Sequence, residues 1–415
     1  MKRYAIPCRG ALLWLASGAL SIGQAQVATD ITPTAGVGDL GTTVTQAGAS
    51  FDITGGTRPN NGPNLFHSFG EFSVGTGDTA NLMNDSGLAT ENILSRVTGG
   101  NPSNIFGTIQ TAGFSGADLY LVNPNGVLFG PGASLDVEGG FHVSTADFIE
   151  LADGVRFDTM PSPNDALLSV APPAAFGFLE ENPVGIAVQG SLLQVPAGET
   201  LSVVGGDISL FSGRLAAPRG RIDLVSVKSP GEVSSKAIPE RLGQIQITHP
   251  PEGGFPSVEA GGGGSIFIRG GEFTVADTKV LADGNISVFA ADNLHMSDGA
   301  QMRADTVGSG EAGSLDVKAH SMLLEGGVKD VRTQWCSLND MWRPVVADIH
   351  RFVSLTWQML FGSSLDPTRV GTASWAGKRA VGCRLNQLRP PFREPLWGKW
   401  RRSQEAFGAR DSSCA

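Results

Sequence analysis

RVTGGNPSNIFGTIQTAGFSGADLYLVNPNGVLFGPGASLDV, residues 96–137, carries the densest strand and turn signals of the chain. At its centre, Asn123-Pro124-Asn125-Gly126 is flanked by Leu119 and Leu121 on one side and by Val127 and Phe129 on the other. Asn at the first position of a type I turn caps its own backbone, Pro presets φ at the second, and Gly suits the fourth. The local structure this predicts is a strand, a rigid four-residue turn and another strand.

Working outward, three later segments repeat one unit. Gly264-Ser-Ile-Phe-Ile-Arg269 aligns with Gly284-Asn-Ile-Ser-Val-Phe289, 20 residues on, and with Gly313-Ser-Leu-Asp-Val-Lys318, a further 29 on. The excess sits in the polar stretch Asp305–Gly313, which reads as a loop. A period near 20 with apolar alternation of period two suits one coil of a β-helix, whose coils bury their apolar faces only by stacking. In this unit Ile266, Ile268, Phe273 and Val275 face inward, and Gly270-Gly271, Ala276-Asp277 and Asp283-Gly284 turn. Gly205–Gly213 and Gly220–Val227 look like a diverged coil. Glycine at the corners permits positive φ and close packing of stacked backbones. A β-sandwich also gives short strands and turns, but it demands no such period. A propeller would show a blade repeat of roughly 40 residues, which is absent.

Composition agrees with an all-β chain. There are 56 Gly and only 2 Tyr among 415 residues, and the 41% hydrophobic content is enough to build a core. At the amino terminus, Lys2, Arg3 and Arg9 precede the apolar run Ala11–Ile22, and Gly23-Gln24-Ala25 offers small residues for a signal peptidase. The expectation is a signal peptide over residues 1–25, cleaved after Ala25. The run is too short for a spanning helix of roughly 20 residues. Cysteine is absent from residue 9 to residue 335, so an exported domain there takes its stability from its core.

Asn64-Leu65-Phe66-His67-Ser68-Phe69, Asn104-Ile105-Phe106-Gly-Thr-Ile109, Asn123–Gly126 and Phe129-Gly-Pro-Gly132 come in this order. Together they resemble the amino-terminal secretion domain of filamentous-haemagglutinin-like exoproteins, the cargo of two-partner secretion, over roughly residues 27 to 325. The resemblance implies a right-handed parallel β-helix (a solenoid) and recognition by an outer-membrane barrel transporter with periplasmic recognition domains, after passage through the general secretion machinery. It also implies a secreted or surface-exposed, adhesin-like protein of a Gram-negative-type bacterium, its adhesion ligand not named by the sequence. The implied recognition and turn-forming residues are Asn64, Leu65, Phe66, Asn104, Ile105, Phe106, Asn123, Pro124, Asn125 and Gly126. Many members carry NPNL upstream; here the nearest match is Gly62-Pro63-Asn64-Leu65, a difference that bears on which barrel accepts the chain.

The secretion domain with its repeats is expected over residues 26–327. Around Val328 the character changes. Six of the seven tryptophans and Cys336, Cys383 and Cys414 lie beyond it. Residues 329–415 hold 14 Lys or Arg against 7 Asp or Glu, whereas residues 1–328 hold 16 against 33. This atypical tail reads as a basic domain, a disordered extension or a non-native, out-of-frame junction. The Trp, Arg and Cys richness without strand or helix period favours the last.

Several β-helices are polysaccharide lyases or hydrolases, so a catalytic face is an alternative, as is the stalk of a truncated toxin. Such catalysis needs paired carboxylates on one face of successive coils. Asp207, Asp223, Asp277, Asp283, Asp292 and Asp298 are the candidates, most of them in turn contexts where Asp caps backbone. His67, His142, His249, His295, His320 and His350 have no metal-ligand spacing, and the late cysteines form no CxxC pair. No phosphate loop or calcium repeat is present, and the acidic body argues against nucleic-acid binding. The expectation is a protein that is not an enzyme and needs no cofactor or metal.

Overall fold

The computed structural model describes residues 27–235, 237–249, 257–304, 313–325 and 330–331. The expected signal segment with Ala25, most of the Asp305–Gly313 loop, and the tail beyond Val331 lie outside them.

The described chain winds as a parallel β-helix with three walls. Wall one stacks Asn64–Ser73, Asn92–Val97, Asp118–Val122, Phe141–Ser144, Thr200–Gly205 and Arg221–Ser226, then the first halves of Ser265–Ala276, Ile286–Ser297 and Leu315–Leu324. Wall two stacks Ser103–Ile105, Val127–Phe129, Ile186–Gln189, Ile208–Phe211 and Gln244–Thr248, then the second halves of the same three long strands. Wall three is split into two sheets. One runs from Ser50–Gly55 to Ser134–Asp136, the other from Leu192–Gln194 to Asp330–Val331.

Parallel register turns the period-two alternation into columns. Leu65, Ile93, Leu119, Phe141, Leu201, Ile222, Ile266, Ile286 and Leu315 lie one above another in wall one, all buried in a single core. The repeat read from the sequence is thus the register itself, with Ile266 opposite Ile286 and Ile286 opposite Leu315. Ile266, Ile268, Phe273 and Val275 are fully buried, as their alternation implies.

One detail differs from the sequence reading, and a second keeps only half of it. Gly270-Gly271 does not end the strand; Ser265–Ala276 runs through it with a shift of register, so the corner is a bend. Corner glycines such as Gly220 and Gly284 serve close approach rather than positive φ. A Cβ on Gly220 would lie 1.9 Å from the Glu199 carbonyl oxygen one coil below, and on Gly284 2.5 Å from that of Gly263.

The amino-terminal end is closed. Asp30–Pro33 pairs antiparallel to Asn64–Ser73, and Thr42–Ala47 forms a hairpin with Ser50–Gly55.

Two excursions leave the solenoid after wall-one strands, between Ser144 and Ile186 and between Ser226 and Gln244. They meet as one antiparallel sheet, in the order Arg156–Asp158, Phe148–Leu151, Pro173–Phe178, Gly231–Ser234. This sheet covers the outer side of wall one. Phe66, Leu94, Val122, Val204 and Val225 point outward there and build a second core with Ile149, Leu151, Phe157, Phe176, Phe178 and Val233. Strands apolar on both sides follow, which explains the paired apolar residues Ile93-Leu94, Leu121-Val122 and Val203-Val204.

Candidate recognition segments

Asn123–Gly126 closes as the sequence predicts. The Gly126 N–H donates to the Asn123 carbonyl at 3.1 Å, and the Asn125 N–H donates to Asn123 Oδ1 at 2.9 Å. The turn is also sewn to the coil below. Asn123 Nδ2 donates to the Asn101 carbonyl and to Ser103 Oγ, both at 3.0 Å, and Asn125 Nδ2 donates to the Gly99 carbonyl at 2.8 Å. Gly126 holds φ +106°, and a Cβ there would meet Val184 Cγ1 at 2.9 Å, so backbone and space both select glycine.

The turn and the Asn104 segment share one corner. Val127, Leu128 and Phe129 pair in parallel with Ser103, Asn104 and Ile105. The Phe106 ring lies over Gly130, where a Cβ would come within 2.2 Å of it. Ile105 is fully buried, while Asn104 and Phe106 are half-buried.

Asn64 sits at the other end of wall one. Its Oδ1 accepts from Asn92 Nδ2 at 2.9 Å, and its Nδ2 donates to the Ala171 and Ser169 carbonyls at 2.7 and 3.1 Å. The next residues alternate in role. Leu65 faces the solenoid core; Phe66 faces the second core, edge-on to Phe157 at 5.0 Å. His67 turns inward again, fully buried, with Nδ1 3.3 Å from Thr42 Oγ1 and no partner for Nε2. Burial, reinforced by the charge of Arg58, pulls its pKa down to about 4, so the ring is neutral at physiological pH.

Sequence reasoning does not single out Arg96, a lone cation in the apolar strand Asn92–Val97. It is fully buried and uses all five guanidinium donors. Nε donates to Ser68 Oγ; Nη1 donates to the Asp158 carbonyl and Asp165 Oδ1; Nη2 donates to the Gly38 carbonyl and Asp165 Oδ2. Its carbon centre also lies 4.8 Å from the Phe157 ring centroid. The signal was the residue itself: an arginine flanked by buried apolar positions demands a counter-ion.

The candidate carboxylates are dispersed along the coils. Asp207 Oδ1 accepts the Gln244 N–H, Asp283 Oδ2 accepts the Gly262 N–H, and Asp223 pairs with Arg221 at 2.7 Å. Asp277 and Asp298 occupy positive-φ positions, and Asp292 is exposed. His142 stacks on Tyr120 at 4.3 Å, and burial pushes the Tyr120 hydroxyl pKa up. Among the described residues, no three His, Cys, Asp or Glu side chains converge as metal ligands.

No curated protein matches the chain. Among solved structures it is similar to the HMW1 secretion domain from Haemophilus influenzae, at 13% identity and a TM-score of 0.34, with 72% of this chain and 100% of that chain covered. The family model of the TPS (two-partner secretion) secretion domain matches residues 26–241. That match takes in Asn64–Phe69, Asn104–Ile109 and Asn123–Gly126 and spans more than half of the 415 residues: the chain belongs to the TPS secretion-domain family.

Proposed function

We propose that this two-partner-secretion exoprotein is adhesin-like, and that an outer-membrane barrel reads its secretion domain as an extended chain before the coils close. The supporting observation is burial. Leu65, Phe66, Ile105 and Asn123 expose 1% or less of their surface once folded, and the polar atoms of Asn64 and Asn123 are spent on the neighbouring coil and on the Ser169 and Ala171 carbonyls. A partner that contacts these side chains meets them only before folding. The same side chains then become stacking contacts, so release from the transporter and growth of the solenoid use one set of residues. Each coil that stacks outside the cell removes apolar surface from water at roughly 25 cal/mol per Å², which favours forward movement of the chain.

The protein is read as one that binds and presents rather than one that catalyses, because its dispersed carboxylates cap turns and pair with Arg221.

The test is export from a Gram-negative host, with and without the barrel encoded beside the gene. Appearance in the medium only with the barrel is expected, and an Asn123→Ala/Asn125→Ala double variant is expected to remain in the periplasm. Urea-unfolded chain should bind the barrel's periplasmic domains, and the refolded chain should not. Equal binding by both forms, or undiminished export of the double variant, would sink recognition of the extended chain.

A further inference from the structure

The first excursion does more than cover wall one. Beyond Arg156–Asp158, residues 159–171 run as a strap from the amino-terminal cap toward Gly62. Pro161 lies against Gly38, Val170 lies against Gly62, and the Ser169 and Ala171 carbonyls accept Asn64 Nδ2. The strap's long apolar side chains hold it poorly. Met160 is 82% exposed, Leu167 63% and Val170 43%; Leu168 alone among them is buried. Its central anchor is Asp165, whose two oxygens take Arg96 Nη1 and Nη2 at 2.8 and 2.6 Å.

Arg96 gathers groups that are far apart in sequence. Gly38 lies 58 residues before it and Asp165 69 residues after. On wall one it stands in register between Ser68 and Val122, on the side that the excursion covers. With the strap away, Phe157 and the Asp158 carbonyl stay on Arg96, but the edge of the guanidinium that Asp165 occupies is open to water. With the strap down, the guanidinium loses water on every side, which is tolerable only when a carboxylate replaces it in full. A half-closed strap has neither water nor counter-ion, so the closure has two states.

We infer that the Arg96–Asp165 pair is a latch: residues 159–171 open and close as a unit over the first two coils, and closure completes the amino-terminal half of the domain only after Asp165 has arrived.

The test is hydrogen exchange of the full chain, wild type against Asp165→Asn. That substitution keeps the shape and removes the charge. Exchange should accelerate about 100-fold in residues 159–171 and in Arg156–Asp158, and stay unchanged in Ser265–Ala276 and Ile286–Ser297. A second pair of changes closes the strap covalently. Position 62 brings a Cβ within 3.2 Å of Val170 Cβ, near the roughly 3.5 Å lower end of disulfide geometry. Adding Gly62→Cys/Val170→Cys to Asp165→Asn should restore slow exchange in oxidising buffer and lose it on reduction. Unchanged exchange in Asp165→Asn, acceleration spread evenly over all walls, or failure of the disulfide to restore protection would each overturn the latch.

Discussion

At His67 a titratable ring lies inside the first coil, in the column that continues through Ser95 and Leu121. Its folded pKa of about 4 is below the usual 6.5, so between these values the unfolded chain binds a proton that the folded chain refuses. Its contribution to stability is complete above pH 6.5 and is lost as pH falls toward 4, by about 3 kcal/mol in total. His67→Leu should flatten the dependence of the urea midpoint on pH in that window; an unaltered slope would assign the acid sensitivity elsewhere. Gly220 gives a test of the stacked corners. Gly220→Ala drives a methyl into the Glu199 carbonyl, and a loss of about 2 kcal/mol or more in denaturant titration is expected. At this scale the sequence was largely readable: Asn123, Pro124 and Gly126 announce their turn through chemistry local to four residues. What lies opposite a residue is not local, which is why nothing near Arg96 announces Asp165.

Among the elements, the two excursions stand apart from the coils. Phe157 edges against Phe66 and lies under Arg96, joining the antiparallel sheet to wall one. Phe157→Ala should cost about 3–5 kcal/mol, read as a lower urea midpoint. The solenoid strands between 264 and 318 were legible because each coil repeats the same inward positions at the same spacing. Phe148–Leu151 and Pro173–Phe178 were not, since neither follows the spacing of the coils and the wall they cover lies far away along the chain. The distinguishing sign lay in wall one: doubled apolar residues such as Leu224-Val225 mark strands covered on both faces.

Across the whole described molecule, stability is a sum over neighbours rather than the property of one centre. The columns are sealed in the middle coils and looser in Leu315–Leu324, the last long strand described, where Val317, Ala319, Met322 and Leu324 are only partly buried. Amides of Leu315–Leu324 should exchange about 100-fold faster than those of Thr200–Gly205, and equal protection would contradict looser packing of that strand. A solenoid lengthened by whole coils keeps one cross-section throughout. Here both departures begin where a wall-one strand ends, after Ser144 and after Ser226, and both return to wall two at Ile186 and Gln244. That edge is therefore where the molecule changes girth without disturbing its pitch. The exposed tip at Asp153-Gly154 on the first departure offers a port where a guest domain can be grafted while the columns beneath stay in step.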